Sequence, residues 1–527
     1  MSPKTLTFHH PVAFWTGCIL IASGVIAHVP MFVHSASMGY RMAGMEMSMT
    51  MHVGMALIPV GLIMAFYGMM PRLALLRADN EVDLHFHAAD RGGLTWAHWT
   101  LVFALFVAVA VDVMKPATLG FVMPGMTLEY RISQHAAGTL ALVALTGTAL
   151  GSIIWGRIAD LLGRRSAILL SALMFIGTAI CGAMPSFTWN LIMCFLMGLS
   201  AGGLLPIAFT LMAEMVPAAH RGWLLVALGG IGTSAGYLLA SGAAAVLEPM
   251  FSWRILWMLG LPTGLMIILL NRYIPESPRF LASVGLRRQA RAVLDRYNAV
   301  VDSPDDAGLP PEMESRGGFW QLMTGGYGAI TLGLIGSGLA WGLVNFGFLL
   351  WLPTNLREMG MDAAAANGLL AKSGMLALPG IVAVAWLYHA WSSIRTLVLF
   401  VGLTAASLFL FFVIGLTGSL TQGFVIAGTA CLLISASGVI AMLIPYAAEI
   451  YPVHLRGTGA GIVAASSKAG GILGAGVGVV GFFENIAFSA LWIAVPLIGF
   501  ALLLLRSGTE TRGFTLEAIH SQIARRR

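Results

Sequence analysis

The chain has 527 residues, 58% of them hydrophobic and only 10% charged, against roughly 25% charged in soluble globular proteins. That balance excludes a water-soluble domain and leaves a chain that meets lipid over most of its surface. The formal charge of +6 sits in short loops between apolar runs, so it answers to anionic headgroups and the positive-inside rule rather than to nucleic acid. Cys18, Cys181, Cys194 and Cys431 are scattered through apolar segments, with no metal-ligand spacing and no disulfide framework.

A spanning helix needs about 20 apolar residues. Runs that meet this centre near residues 22, 60, 107, 145, 175, 200, 234, 263, 334, 376, 406, 433, 470 and 497. The first begins near Pro11 and lacks a small-residue cleavage site, so it reads as a retained helix. Between the first two runs lie Met31, Met38, Met42, Met45, Met47, Met49, Met51 and Met55, with His28, His34 and His52 interleaved. Thioether and imidazole suit Cu(I), so a copper-binding importer or sensor is one alternative. Adaptable packing is the reading adopted, because Met-x-Met fixes no ligand geometry, and no metal or cofactor is expected. His85-Phe86-His87, flanked by Asp83, Asp90 and Arg91, reads as a solvated loop.

The third run carries Asp112, with Lys115 and Pro116 after it. A carboxyl at membrane depth can load and release a proton, and Asp112 is assigned proton coupling. An internal pair with Lys115 at i+3 is the alternative. The next loop reads Gly156-Arg157-Ile158-Ala159-Asp160-Leu161-Leu162-Gly163-Arg164-Arg165. Its glycines permit a tight turn, and Asp160 can accept charge-assisted bonds from an arginine or a helix N-terminus. That makes a clasp which must break when a carrier switches state.

Glu449, Pro452 and Arg456 each lie 235 positions after Glu214, Pro217 and Arg221. Such an internal repeat divides the last twelve helices into two six-helix halves, the architecture of alternating-access carriers. The wide polar gap between Asn271 and Phe319 carries Arg272, Arg279, Arg287, Arg288, Arg291 and Arg296, which places it in the cytoplasm together with both termini. The expected organisation is a two-helix extension over 1–94, six-helix bundles over 95–274 and 319–508, a central loop over 275–318 and a tail over 509–527. The expected fold class is all-α polytopic membrane protein, with fourteen helices in all.

With these pieces assembled, the 156–165 loop resembles the signature of the major facilitator superfamily, over about residues 95 to 520. Pro275-Glu276-Ser277-Pro278-Arg279-Phe280 resembles a junction of its sugar porters and organic ion transporters. Gly508-Thr509-Glu510-Thr511-Arg512-Gly513 resembles the tail of that branch, with Gly508 where proline is usual. The branch also holds aromatic-acid:proton symporters and relatives of synaptic vesicle glycoprotein 2. The resemblance implies gating roles for Gly156, Asp160, Gly163, Arg164, Arg165, Glu214, Arg221, Glu276, Arg279, Glu449 and Arg456, as a charge network holding the outward-facing state. The chain also departs from the pattern. The second-half counterpart of the signature loop, 386–395, has no aspartate and no glycine, and Cys194 stands in the fourth core helix where relatives often carry arginine.

Lys468 and Lys372 are cationic groups within apolar runs of the second half. In related organic ion transporters, this part of the eleventh core helix tends to carry a base in anion carriers. Two ammonium groups and one carboxylate favour an anion by Coulomb attraction. Trp341 and Asn345, with Cys194, complete the expected substrate contacts. The expectation is a secondary transporter in a multi-pass inner membrane, a proton symporter of a small organic or aromatic carboxylate. Its partners are solute, protons and lipid, as a monomer and without nucleic acid. A drug or organic-cation exporter is the other alternative. His-Glu-x-x-His and phosphate-loop motifs do not occur, and Gly-x-Ser-x-Gly falls only inside apolar runs, at 198–202 and 232–236, where no strand-to-helix elbow is expected, so a transporter is expected and not an enzyme.

Overall fold

The computed structural model describes residues 10–70, 93–283, 286–298, 322–323, 326–417, 422–451 and 453–511. The linker with His85 and His87, most of the central loop beyond 298 and the tail beyond Thr511 lie outside the described residues. So do the side chains of Asp160, Arg279 and Arg456.

Among the described residues, fourteen helices are long and apolar enough to cross a membrane. They are α1 (Pro11–Met38), α2 (Met49–Met69), α3 (Trp96–Tyr130), α4 (Gln134–Leu162), α5 (Arg164–Ala183), α6 (Phe187–Met215) and α7 (Ala218–Phe251). They continue as α8 (Arg254–Tyr273), α9 (Gly328–Glu358), α10 (Ala363–Ala390), α11 (Ser393–Thr417), α12 (Gln422–Ile450), α13 (Val453–Val479) and α14 (Ile486–Ser507). The α4–α5 turn marks an arginine-rich end of the molecule, and even-numbered helices start at the opposite end. There the turns are short and polar, and side chains of Ser48, Ser133, Ser186, Asp362 and Asn485 accept from the first-turn amides of α2, α4, α6, α10 and α14. Each cap satisfies a helix-start N–H that lipid would leave unpaired.

The last twelve helices form two halves with matching pairings. In the first, α3 packs on α7, α6 on both α4 and α5, and α5 on α8. In the second, α9 packs on α13, α12 on both α10 and α11, and α11 on α14. The halves meet where α7 packs on α10 and α12, α4 on α13, and α3 on α9. This is the six-plus-six architecture expected from the repeat.

The extension is knit by glycines seven residues apart. A Cβ on Gly17 would stand 2.5 Å from the Gly61 carbonyl oxygen, and one on Gly24 would stand 2.6 Å from that of Gly54. Small residues let membrane helices approach this closely and gain dispersion contacts along the seam. The hairpin then lies on α5, where Gly177 faces Ile58. As a result 89% of the apolar window of α5 is buried, against 50% for its counterpart α11.

Candidate functional site

At mid-depth the two halves are joined by charge. Lys468 of α13 donates from Nζ to Ser152 Oγ of α4. Ser152 in turn donates to the carbonyls of Thr148 and Gly202, each at 2.9 Å. Lys468 also interacts electrostatically with buried Asp112 of α3, whose surroundings include the Leu205 backbone of α6. Ser152 of α4 and Asp112 of α3 thus converge on one ammonium of the second half, each backed by the α6 backbone.

The neighbouring wall comes from α9. A Cβ on Gly342 would lie 2.3 Å from the Ser467 carbonyl oxygen, so Trp341 and Lys468 are the chain neighbours of two touching residues. The Trp341 indole Nε1 is buried without a hydrogen-bond partner. Its ring meets Phe346 edge-on at 6.0 Å, and Asn345 Nδ2 donates to the Trp341 carbonyl at 3.3 Å. Val344–Phe348 is a π-helical turn, a distortion common at functional sites. It displaces Asn345 and Phe346 from the register a regular helix would impose.

At the arginine-rich end, Gly163 has φ +97° and ends α4. A Cβ there would lie 2.2 Å from Glu276 Oε2. The glycine lets Glu276 sit on the start of α5, where its Oε1 accepts from the amides of Arg164 (2.7 Å), Arg165 (3.3 Å) and Ser277 (3.0 Å). The helix start favours the anion, but burial prevails and pushes the carboxyl up to about 7 against the backbone donors. Arg164 pairs with Glu214 at 3.4 Å, and Arg165 donates to Asn271 at 2.8 Å. Arg221 donates to the Val216 carbonyl at 3.3 Å. In the second half, Glu510 takes the place of Glu276, accepting from the Ser393 amide (3.0 Å) and hydroxyl (2.6 Å) at the start of α11. Glu449 accepts from Thr511 at 2.6 Å and Tyr388 at 3.3 Å.

Two expected site residues belong elsewhere. Lys372 is exposed on α10, on one stripe with Met375, Leu376, Val382 and Trp386, which are exposed as well. That apolar stripe is the lipid side, so one ammonium, not two, reaches the seam. Cys194 is fully buried inside the first half, beside Cys181 and Lys115. Lys115 does not pair with Asp112. Its Nζ donates to the Phe175 carbonyl (2.9 Å) and Thr178 Oγ1 (2.7 Å), and lies 4.0 Å from the Phe175 ring centroid, tying α3 to α5.

Two polar clusters at the end opposite the arginine-rich loops went unrecognised in the sequence. Glu129 accepts from Arg254 Nη2 (2.6 Å), Trp253 Nε1 (2.9 Å) and the Met42 and Ala43 amides (2.7 and 3.0 Å). It thereby holds the methionine hairpin to the first half. Met42 and Met51 pack there against Phe32 and Ala183. Separately, Glu248 of α7 binds Arg357 and Asn367 across the seam between halves.

A family model described as Major Facilitator Superfamily matches residues 101–475. Over 431 residues the chain is 27% identical to the niacin transporter NiaP of Acinetobacter baylyi, covering 80% of this chain and 96% of that protein. It is 28% identical over 412 residues to the 4-hydroxybenzoate transporter PcaK of the same species (75% and 87% covered). It is 26% identical over 423 residues to a gallate transporter of Pseudomonas putida (78% and 92% covered). Among solved structures, the xylose transporter XylE from E. coli, in a partially occluded inward open conformation, superposes with TM-score 0.65 at 16% identity. That match covers 80% of this chain and 100% of that one. This last likeness speaks to the fold.

Proposed function

We propose that this chain, which belongs to the Major Facilitator Superfamily and is a multi-pass membrane transporter, imports a small aromatic carboxylate together with a proton. The observation that carries the reading is the position of Lys468, shared between Ser152 and Asp112 across the seam. With Asp112 ionised, the ammonium is neutralised internally and attracts no second carboxylate. A proton on Asp112 removes that competitor, and the solute carboxylate takes the lysine. Proton and anion therefore enter together, and the pair leaves the site's net charge unchanged. Trp341, Phe346 and Asn345 supply an aromatic wall and polar groups suited to a ring. The named solutes of the relatives, niacin, 4-hydroxybenzoate and gallate, are aromatic acids, which supports the same class here.

By the positive-inside rule the arginine-rich end is cytoplasmic, so the conformation closed at the other end faces inward. One chain supplies both sides of the site, which suffices for a monomeric carrier in a cell membrane. The residues named at the arginine-rich end bond within their own halves in this inward-facing conformation, and in this reading they latch the halves together when the cytoplasmic side closes. The test is a panel of aromatic acids, sugars and amines offered to proteoliposomes with and without an imposed pH gradient. Acids should accumulate when the outside is acidic, whereas uptake confined to amines or sugars overturns the reading.

A further inference from the structure

At the end opposite the arginine-rich loops, three sets of polar contacts join the halves among the described residues. Gln134 donates to Glu358. His135 lies 2.9 Å from the Val479 carbonyl and 3.4 Å from Glu484, with both side chains about half exposed at 52% and 48%. Exposed contacts of this kind contribute roughly 0–1 kcal/mol. The third set is different. Arg357 Nη2 of α9 donates to both Glu248 oxygens of α7, at 3.0 and 2.9 Å. Asn367 Nδ2 of α10 donates to Glu248 Oε2 at 2.6 Å. The Glu248 side chain is 9% exposed, that of Arg357 16%, and Asn367 is fully buried. Losing one partner while this end stays shut would leave a buried charge unpaired and a buried amide without its acceptor, which costs far more than at its exposed neighbours. Backbone contact seals the same end: a Cβ on Gly120 of α3 would come within 2.4 Å of the Leu350 carbonyl oxygen of α9.

We propose that Glu248, Arg357 and Asn367 form the latch that keeps this end shut, and that its strength sets how much of the carrier stands open to this side. The acceptor rides on the first half and both donors on the second, so rocking of the halves makes or breaks all three bonds at once. The inference rests on alternating access and is independent of the solute. Because each half contributes its groups from helix ends, the latch is remote from Lys468 and should alter conformational balance without altering what is bound.

The experiment uses Gly138→Cys, a buried position on α4 that lies against Trp351 at this seam, in cells treated with a membrane-impermeant maleimide. A carrier with the native cysteines alone serves as the background. In the Gly138→Cys background, Glu248→Gln and Asn367→Ala should label about tenfold faster or more, as expected for loss of one charge-assisted bond. Uptake by Glu248→Gln should show a lower apparent KM for external solute with a lower maximal rate. A second protein, Glu248→Cys/Asn367→Cys, should stop transporting when air oxidation with copper–phenanthroline closes a disulfide, dioxygen taking the two electrons and two protons. Activity should return on reduction with a thiol. Unchanged labelling in Glu248→Gln that elutes as folded protein overturns the proposal, and so does full transport by the oxidised pair. Faster labelling without aromatic-acid uptake would leave the latch standing and defeat the solute reading instead.

Discussion

Replacing Glu129 by alanine should cost the protein more than any other single change at the end opposite the arginines. The carboxylate accepts from Arg254 Nε and Nη2, from Trp253 Nε1 and from two hairpin amides. Arg254 itself is fully buried, and its remaining donors go to the Gly182 and Met184 carbonyls and to Tyr130. Without Glu129 a guanidinium stays buried with no counter-charge, and the Met42 and Ala43 amides lose their acceptor. Removing one partner of a buried pair costs about 3–5 kcal/mol, of which the hairpin bonds are one part. In thermal denaturation in mild detergent, Glu129→Ala should melt several degrees below wild type. A protease should also reach the 39–47 segment, which the parent protects. Pairing the change with Arg254→Met should recover part of the loss, because no charge is then left buried and unpaired. Equal melting of wild type and Glu129→Ala would refute the reasoning, as would a double variant worse than the single.

Asp112→Asn should abolish accumulation driven by a pH gradient yet retain solute counterflow, since a neutral side chain leaves Lys468 free for the anion; loss of both modes would contradict the coupling role. Glu276 gives a pH signature whose sign is fixed by its raised value, about 7 in place of 4.5. The folded protein holds this proton more tightly, so its contribution to stability is full below about 4.5 and is lost as pH rises through about 7. The melting temperature of wild type relative to Glu276→Gln should therefore fall between pH 5 and pH 8, and a flat difference would sink the assignment. Gly163→Ala should cost about 1–3 kcal/mol for its backbone alone, with Glu276 displaced besides. Gly156→Ala, where an added Cβ meets nothing within 4 Å, should melt close to wild type.

What the chain discloses by itself follows from what membrane physics writes locally. A spanning helix must be a run of apolar residues, and arginines gather in the loops of one end, so fourteen spans and the two halves are legible from hydropathy and a repeat offset. Depth is legible in the same way, as at Asp112 and Lys468. Azimuth is not. Around Lys372 nearly every position is apolar, so the sequence shows no polar face, and only packing reveals that it shares a stripe with Met375 and Trp386. Pair identity is equally hidden. Lys115 has Asp112 three residues away but bonds to Phe175 and Thr178, about 60 positions on. Glu129, Arg254, Glu248 and Arg357 stand at helix ends, where a lone charge reads as a solvated turn. Their charged partners lie 125 and 109 positions distant. Glu276 stands in a legible motif, whereas its seat on the start of α5 depends on Gly163 turning the chain.

In the proposed cycle Lys468 exchanges Asp112 for a solute carboxylate. Calorimetric titration of the purified carrier with 4-hydroxybenzoate and with 4-hydroxybenzamide, at pH 5.5 and 8, tests it directly. The acid should bind at least about tenfold tighter than the amide, as a charge-assisted bond requires. Binding should weaken at pH 8 in wild type but not in Asp112→Asn, and should be lost in Lys468→Met. Equal binding of acid and amide, or an unimpaired Lys468→Met, would contradict it.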